Sequence, residues 1–474
     1  MPQQRHQLTL LHPSRQPPRT ESPRTTSTQT AAEILTAAPA RPPIRSLYIH
    51  TPFCVHKCHY CDFYSIVDTQ DREQAFVDRL IAELRFLAPH ADPAIQRPAL
   101  DTVFVGGGTP SLLRVDLWRR LLGALHELFD LSAMISRGVR AQVAQPLLLG
   151  EFTVECNPES ATPDLLAVLR SGGVNRVSMG AQSFDPRHLK TLERTHNPEN
   201  VARALESARA AGIPRQSIDL IFGIPGQTLA EWERDLDRAI ALGTTHLSCY
   251  GLTYEPGTAM TARLGVGQFE PIDDDLEADM FELTLSRLAA AGLARYEISN
   301  YARPGHESLH NLAYWRQHQW LAAGPSASGH VYAGAHMRDG GWRWKNVPRL
   351  GDYLAADAAT PGENEDDRNT GICGASPVID VESPDPRRAL RERLLMGLRL
   401  AEGIDAAAFL ADLDAVAPDA AGLVVTAAQR LEGEGLLQLE GLVFPNGAAR
   451  WTLTPRGMML CDSVVGALSE PLCE

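Results

Sequence analysis

Three cysteines, Cys54, Cys58 and Cys61, fall within eight consecutive residues of a 474-residue chain whose other five cysteines stand singly. A short loop with thiols four and three positions apart lets all three sulfurs converge on one metal centre. Zinc in structural sites generally takes four protein ligands, often from two C-x2-C pairs. No second pair exists here, although His56 or His59 could complete a Cys3His set. A redox disulfide needs only C-x-x-C and leaves Cys54 without a role. Three cysteines on a four-iron cluster leave one iron without a protein ligand, and an open iron can bind a small molecule.

The segment VFVGGGTPSLL (103–113) follows a β-type run. Its glycines let the backbone approach a ligand, and exposed amides can receive a carboxylate. Alone, such a turn is more often a tight strand-to-helix connection. Polar residues recur where β-type runs end: His50, Gly106 to Thr109, Glu155, Asn157, Gln182, Asp219 and Tyr250. Strands surface at their ends, which accounts for an Asn or a Ser. A Glu, a Gln and an Asp set among apolar neighbours fit better a barrel whose active site collects one contribution per strand.

The elements that would position these groups alternate. The β-type runs are 46–50, 101–108, 151–158, 175–184, 217–225, 246–254 and 295–301. Amphipathic stretches at 71–87, 115–129, 199–211, 228–242 and 274–291 separate them; Leu229, Trp232, Leu236 and Ile240 show the helical period. Strand–helix–strand repetition predicts an α/β fold with a parallel sheet, as an open doubly wound sheet or a full or partial barrel. Residues 1–45, rich in Pro, Ser and Thr, read as a disordered arm. Their arginines, with Glu21 and Glu33 the only acids, also resemble an organelle transit peptide. The main domain spans 46–354, with 132–149 as a loop insertion. An acidic linker follows at 355–386, and then a small α+β domain, winged-helix-like, at 387–474.

Composition narrows the function classes. With 44% apolar residues the chain can bury a large core. Its 58 acidic and 44 basic residues give a net charge of −14 without a Lys/Arg cluster, which argues against nucleic acid as the main ligand. No run approaches the roughly 18 apolar residues of a membrane span. Eight cysteines are too sparse for a disulfide scaffold and point to a reducing compartment.

C-x3-C-x2-C with an aromatic before the last cysteine resembles the motif of the radical S-adenosylmethionine (SAM) superfamily, and GGG at 106–108 resembles that family's GGE motif. ECNPES (155–160), GAQSFD (180–185), ERTHN (193–197), DLIFGIPGQT (219–228) and YEISNYARPG (296–305) resemble the HemN/HemW branch, from about residue 46 to 345. The resemblance implies a partial or full (β/α) barrel and a [4Fe–4S] cluster on Cys54, Cys58 and Cys61. It also implies SAM contacts from Tyr48, Tyr60, Gly107, Gly108 and Thr109, with Glu155, Gln182, Arg194 and Asp219 around the ligand. The branch holds two functions: oxidative decarboxylation of coproporphyrinogen III by a deoxyadenosyl radical, and a haem chaperone that delivers haem to apo-haemoproteins. The dehydrogenases carry a fourth cysteine two residues after the third, where this chain has Phe63. HNLAYW (310–315) resembles the chaperones' HNxxYW motif, which makes His310 a candidate haem ligand, with His306, His330 and His336 as competitors, although a His in a His/Asn/Tyr cluster is more often hydrogen-bonded structure. Ser328 departs from that branch, which usually has His there. The expectation is therefore a haem-chaperone-type protein of the cytoplasm, or of the mitochondrial matrix if the arm is a transit peptide.

Overall fold

Apolar residues at every second position of the β-type runs supply one face for a layer of helices. Leu47 and Ile49, Val103 and Val105, Phe152 and Val154, Val177 and Met179, Ile218 and Leu220 are all fully buried. The computed structural model describes residues 31–37, 41–135, 137–139, 146–355, 378–439 and 450–473. Strands β1 (Ser46–Thr51), β2 (Thr102–Gly107), β3 (Glu151–Cys156), β4 (Arg176–Gln182), β5 (Arg215–Phe222) and β6 (His246–Gly251) lie side by side and parallel in that order. Each is followed by a helix: α1 (Glu73–Ala91), α2 (Val115–Leu128), α3 (Pro163–Ser171), α4 (Pro198–Ala210), α5 (Leu229–Ala241) and α6 (Asp274–Ala290). This is the expected α/β architecture, a partial barrel with parallel strands.

The sheet differs from the expectation at its edges. The run 295–301 is not a seventh parallel strand; it supplies Ala294–Arg295 and Asn300–Ala302, which pair antiparallel at the β6 edge. The parallel neighbour of β1 is instead Trp320–Ala323, which is not among the expected β-type runs, and Ser328–Tyr332 returns antiparallel beside it. Gly341–Asn346 and Val378–Glu382 continue the sheet, so part of the expected acidic linker is a strand. Its five residues, VIDVE, are too few to show a strand period and are diluted by the surrounding Asp, Glu and Gly.

The expected disordered arm is likewise corrected within the described residues. Ala31–Thr36 is helical, and Ala31, Ile34, Leu35 and Ile44 are buried in the main core. Averaging composition over 45 residues hides this apolar cluster. The insertion at 132–149 contains a helical turn, Ser132–Ile135, and a hairpin of Arg137–Val139 with Pro146–Leu148.

The C-terminal region has its own core, built on Leu394, Phe409, Leu413, Val424, Val464 and Leu468. Helices Pro386–Gly397, Ala406–Val416, Pro418–Gly433 and Cys461–Ser469 surround a three-stranded antiparallel sheet. Arg343 ties it to the barrel through both oxygens of Glu392, at 2.5 and 2.7 Å.

Candidate functional site

The other face of the sheet carries the polar side chains. Tyr48 and His50 of β1, Glu155 of β3, Ser178 of β4 and Asp219 of β5 turn away from the helices, as the two-residue period requires. A cavity of about 870 Å³ opens where the parallel strands end. Cys54, Cys58, Cys61, Tyr60, Gly107, Gly108, Thr109, Glu155, Gln182, Arg194 and Asp219 all line it. Tyr48 and His310 are not among its lining residues.

The cysteine loop is pinned at both ends. Cys54 N–H donates to Ile66 O (2.9 Å), Thr109 N–H to Phe53 O (2.7 Å) and Gly108 N–H to Thr51 O (2.7 Å). Met260 N–H donates to His59 O (2.8 Å), and the Arg263 guanidinium reaches His59 Nδ1 at 3.1 Å. That engagement takes His59 away from the zinc-ligand alternative. Cys54 Sγ lies 3.5 Å from Thr109 Oγ1, and Arg194 Nη1 donates toward Cys58 Sγ at 3.5 Å. Burial raises the Cys54 thiol above its ordinary range and pushes Cys61 up to about 11. Three half-buried soft donors on one wall, beside a guanidinium, suit an anionic thiolate-bound iron centre, because coordination removes the thiol protons.

The glycine turn works through close approach. Gly107 has φ +105°, and a Cβ there would fall 2.5 Å from the His50 ring. His50 is fixed by Tyr48, whose OH lies 3.0 Å from Nδ1, and by the Tyr64 carbonyl, 2.8 Å from Nε2. Burial lowers its pKa to about 4, so it is neutral. Tyr48 therefore supports the turn from beneath instead of lining the cavity.

Glu155 accepts from Gly107 N–H at 3.1 Å. Burial, and then the neighbouring Asp219, push its carboxyl up to about 8. Burial raises Asp219 too, against hydrogen bonds from Ser248 and Ser178. Two buried carboxyls on one wall favour a cationic guest such as an ammonium group. Opposite in charge, Arg194 is held by Gly180 O at 2.9 Å and leaves its buried Nε without a hydrogen-bond partner. Gln182, at a bulge, adopts φ +64°, which re-aims it relative to the regular strand. The ammonium, carboxylate and ribose of SAM match this donor set.

Residues that sequence patterns did not single out close the cavity. Met458, Met459 and Asp462 come from the C-terminal region, and Val55 from the cysteine loop. Contacts between segments so far apart leave no local signal.

His310 is at the opposite end of the barrel. It is 1% exposed, with Nδ1 2.8 Å from Thr102 Oγ1 and Nε2 2.8 Å from Tyr314 OH. Thr102 opens β2, so this is the floor. Burial lowers the imidazole's pKa to about 4. Helix Leu309–Trp315 caps Glu151 there: Leu309 N–H and His310 N–H donate to its carboxylate at 3.0 and 3.2 Å, and Arg215 lies 3.4 Å away. His330 is also buried, in an antiparallel strand outside the cavity. The HNLAYW motif is thus structural floor, a correction to its reading as the haem ligand.

Residues 48–239 match the radical SAM superfamily, and 385–460 match the HemN C-terminal domain. The heme chaperone HemW of Mycobacterium tuberculosis is 35% identical over 423 residues, 89% of this chain and 94% of that protein. The chain belongs to the HemW family. HemW of Escherichia coli is 40% identical over 292 residues, covering 61% of this chain and 71% of that protein. The solved structure of coproporphyrinogen III oxidase (HemN) from Escherichia coli superposes with a TM-score of 0.70 over 94% of this chain and 96% of that one, at 22% identity. That likeness establishes a shared fold. As a radical SAM fold, the HemW-family barrel implies a [4Fe–4S] cluster and SAM, which the cavity's donors fit. When bound, these supply a reducible iron site and a cleavable sulfonium.

Proposed function

We propose that this chain is a haem chaperone: it binds haem, holds SAM and a [4Fe–4S] cluster in the barrel cavity, and passes haem to client apo-haemoproteins. The observation that carries this reading is Phe63. It stands where the dehydrogenases place a fourth cysteine, and it lies 62% exposed at the cavity mouth instead of facing a ligand within. Family membership through relatives named as heme chaperones supports the same choice.

In this reading Cys54, Cys58 and Cys61 hold the cluster, and Arg194 balances its charge. Glu155 and Asp219 receive the SAM ammonium or ribose hydroxyls, and the Arg194 guanidinium, with its buried Nε unpartnered, suits the carboxylate. Among the described residues no helix is long and apolar enough to cross a membrane. We place the protein in the cytoplasm, where free thiols persist, with the mitochondrial matrix as the alternative. Its clients are haem-requiring apoproteins, and nucleic acid is not a partner.

The test is transfer. Protein reconstituted anaerobically and loaded with haem is mixed with an apo-haemoprotein, and the acceptor is separated and its haem counted. Haem arriving in the acceptor faster than from free haem–albumin supports the reading. Failure of the loaded protein to donate contradicts it.

A further inference from the structure

With His310 on the barrel floor, a haem site must be sought elsewhere, and the exposed apolar side chains mark one. Large hydrophobic residues left in water are costly and, when grouped, mark contact surfaces. Val55 is 71% exposed and Phe63 62%, both within the cysteine loop, Val67 is 53% exposed just beyond it, and Tyr250 is 41% exposed at the end of β6. Val55, Phe63 and Tyr250 line the mouth of the same cavity. The loop is held by backbone bonds to Ile66, Thr51 and Phe53, so this exposure is built into a fixed segment.

Two further side chains of this loop define what the mouth would take. His56 is exposed and is the one imidazole among the cavity's lining residues; Lys57, beside it, is the one lysine. An extended apolar face, an imidazole and an ammonium together match a flat macrocycle that carries a metal and carboxylates. The SAM-type groups sit on the strand ends, with Tyr250 beside Asp219, whereas Val55, His56, Lys57 and Phe63 sit on the loop. A protein segment docking there would use the apolar face but has no need of the imidazole.

We infer that haem sits at this mouth, its ring against Val55, Phe63 and Tyr250, its iron taken by His56 and a propionate by Lys57. The inference rests on the chaperone reading. It gives Phe63 a positive role: where the dehydrogenases have a thiol, this chain has a porphyrin-facing aromatic. It also places the haem and the cluster on one loop.

The test uses the full chain with its cluster reconstituted anaerobically and ferric haem as the probe. Haem retained after gel filtration is counted as pyridine haemochrome, the ferric haem EPR signal reports ligation, and cluster iron and sulfide are assayed in parallel. His56→Ala and Phe63→Ser are each expected to weaken haem binding by about tenfold or more with cluster content unchanged. His56→Ala should also alter the EPR signal. Leu423→Ser, at an apolar position 59% exposed on the C-terminal domain, should behave as wild type. If Phe63→Ser loses cluster iron, Val55→Ser replaces it. Haem retention and EPR unchanged in both mouth variants would overturn the location while leaving the chaperone reading intact, and the face would then belong to a client protein. Wild-type protein that retains no haem would overturn both.

Discussion

Glu155 and Asp219 set up a pH dependence that can be read without any ligand. The folded-state pKa of Glu155 is pushed up to about 8, above its ordinary carboxylate value, by burial and by Asp219. The stability this contributes is present below the ordinary pKa and is lost as pH rises toward and through about 8. Glu155→Gln should therefore raise the melting temperature only slightly at pH 5 and by several degrees, in order of magnitude, at pH 9. An equal effect at both pH values would contradict the assignment. Cys58→Ser should abolish the cluster, measured as loss of iron and sulfide; full retention would remove that ligand. His310→Phe leaves Thr102 and Tyr314 without their buried partner, at a cost of roughly 2–4 kcal/mol. Chemical denaturation should show that loss while haem retention stays at the wild-type level. The cysteines were legible because their spacing is itself the chemistry. The motif alone leaves His310 open between haem ligand and hydrogen-bonded structure, because it says which residues occur together and not which end of a barrel they occupy. The signal that places it on the floor is the Glu151, Arg176 and Arg215 set at the starts of three strands, whose buried carboxylate needs a cap.

The segment joining β4 to α4 shows how elements place the site. Ser183 Oγ and Phe184 N–H donate to buried Asp235 of α5 at 2.6 and 2.8 Å. Arg187 bridges Asp185 and Glu231 at 2.6 Å each, and Glu231 closes the capping box of α5 with Thr228. These bonds fix a short stretch that begins at Gln182 and ends at Arg194, both lining the cavity. Asp235→Ala should raise the dissociation constant for SAM about tenfold, measured by equilibrium dialysis, with cluster iron unchanged. Unchanged affinity would show that α5 does not position the loop. The parallel strands and their helices were readable because period-two and helical apolar patterns are strong there. The edges were not: Ala294–Arg295 and Asn300–Ala302 are too short to carry a period, and Val378–Glu382 sits in an acidic stretch whose average conceals it.

Across the whole molecule, the C-terminal domain is both packed by itself and part of the cavity wall. Arg343 and Glu392 form a two-pronged pair, Arg316 meets Glu402 at 3.0 Å, and Ala401 N–H donates to Tyr296 O at 2.9 Å. Through them Met458 and Met459 are kept at the cavity. Glu392→Ala should speed hydrogen exchange in helix Pro386–Gly397 and in residues 455–462 while the barrel strands keep their protection. Exchange unchanged in both segments would mean that the pair does not hold the domain. The net charge of −14 argues against nucleic acid and names no partner, whereas we read one side chain, Phe63, as the position that separates two functions on a shared fold. The central claim is tested most directly by giving one cluster-loaded preparation coproporphyrinogen III with SAM and a reductant, and the same preparation haem. Stable haem retention with no protoporphyrinogen formed is the predicted result. Sustained conversion of coproporphyrinogen III to protoporphyrinogen would contradict it.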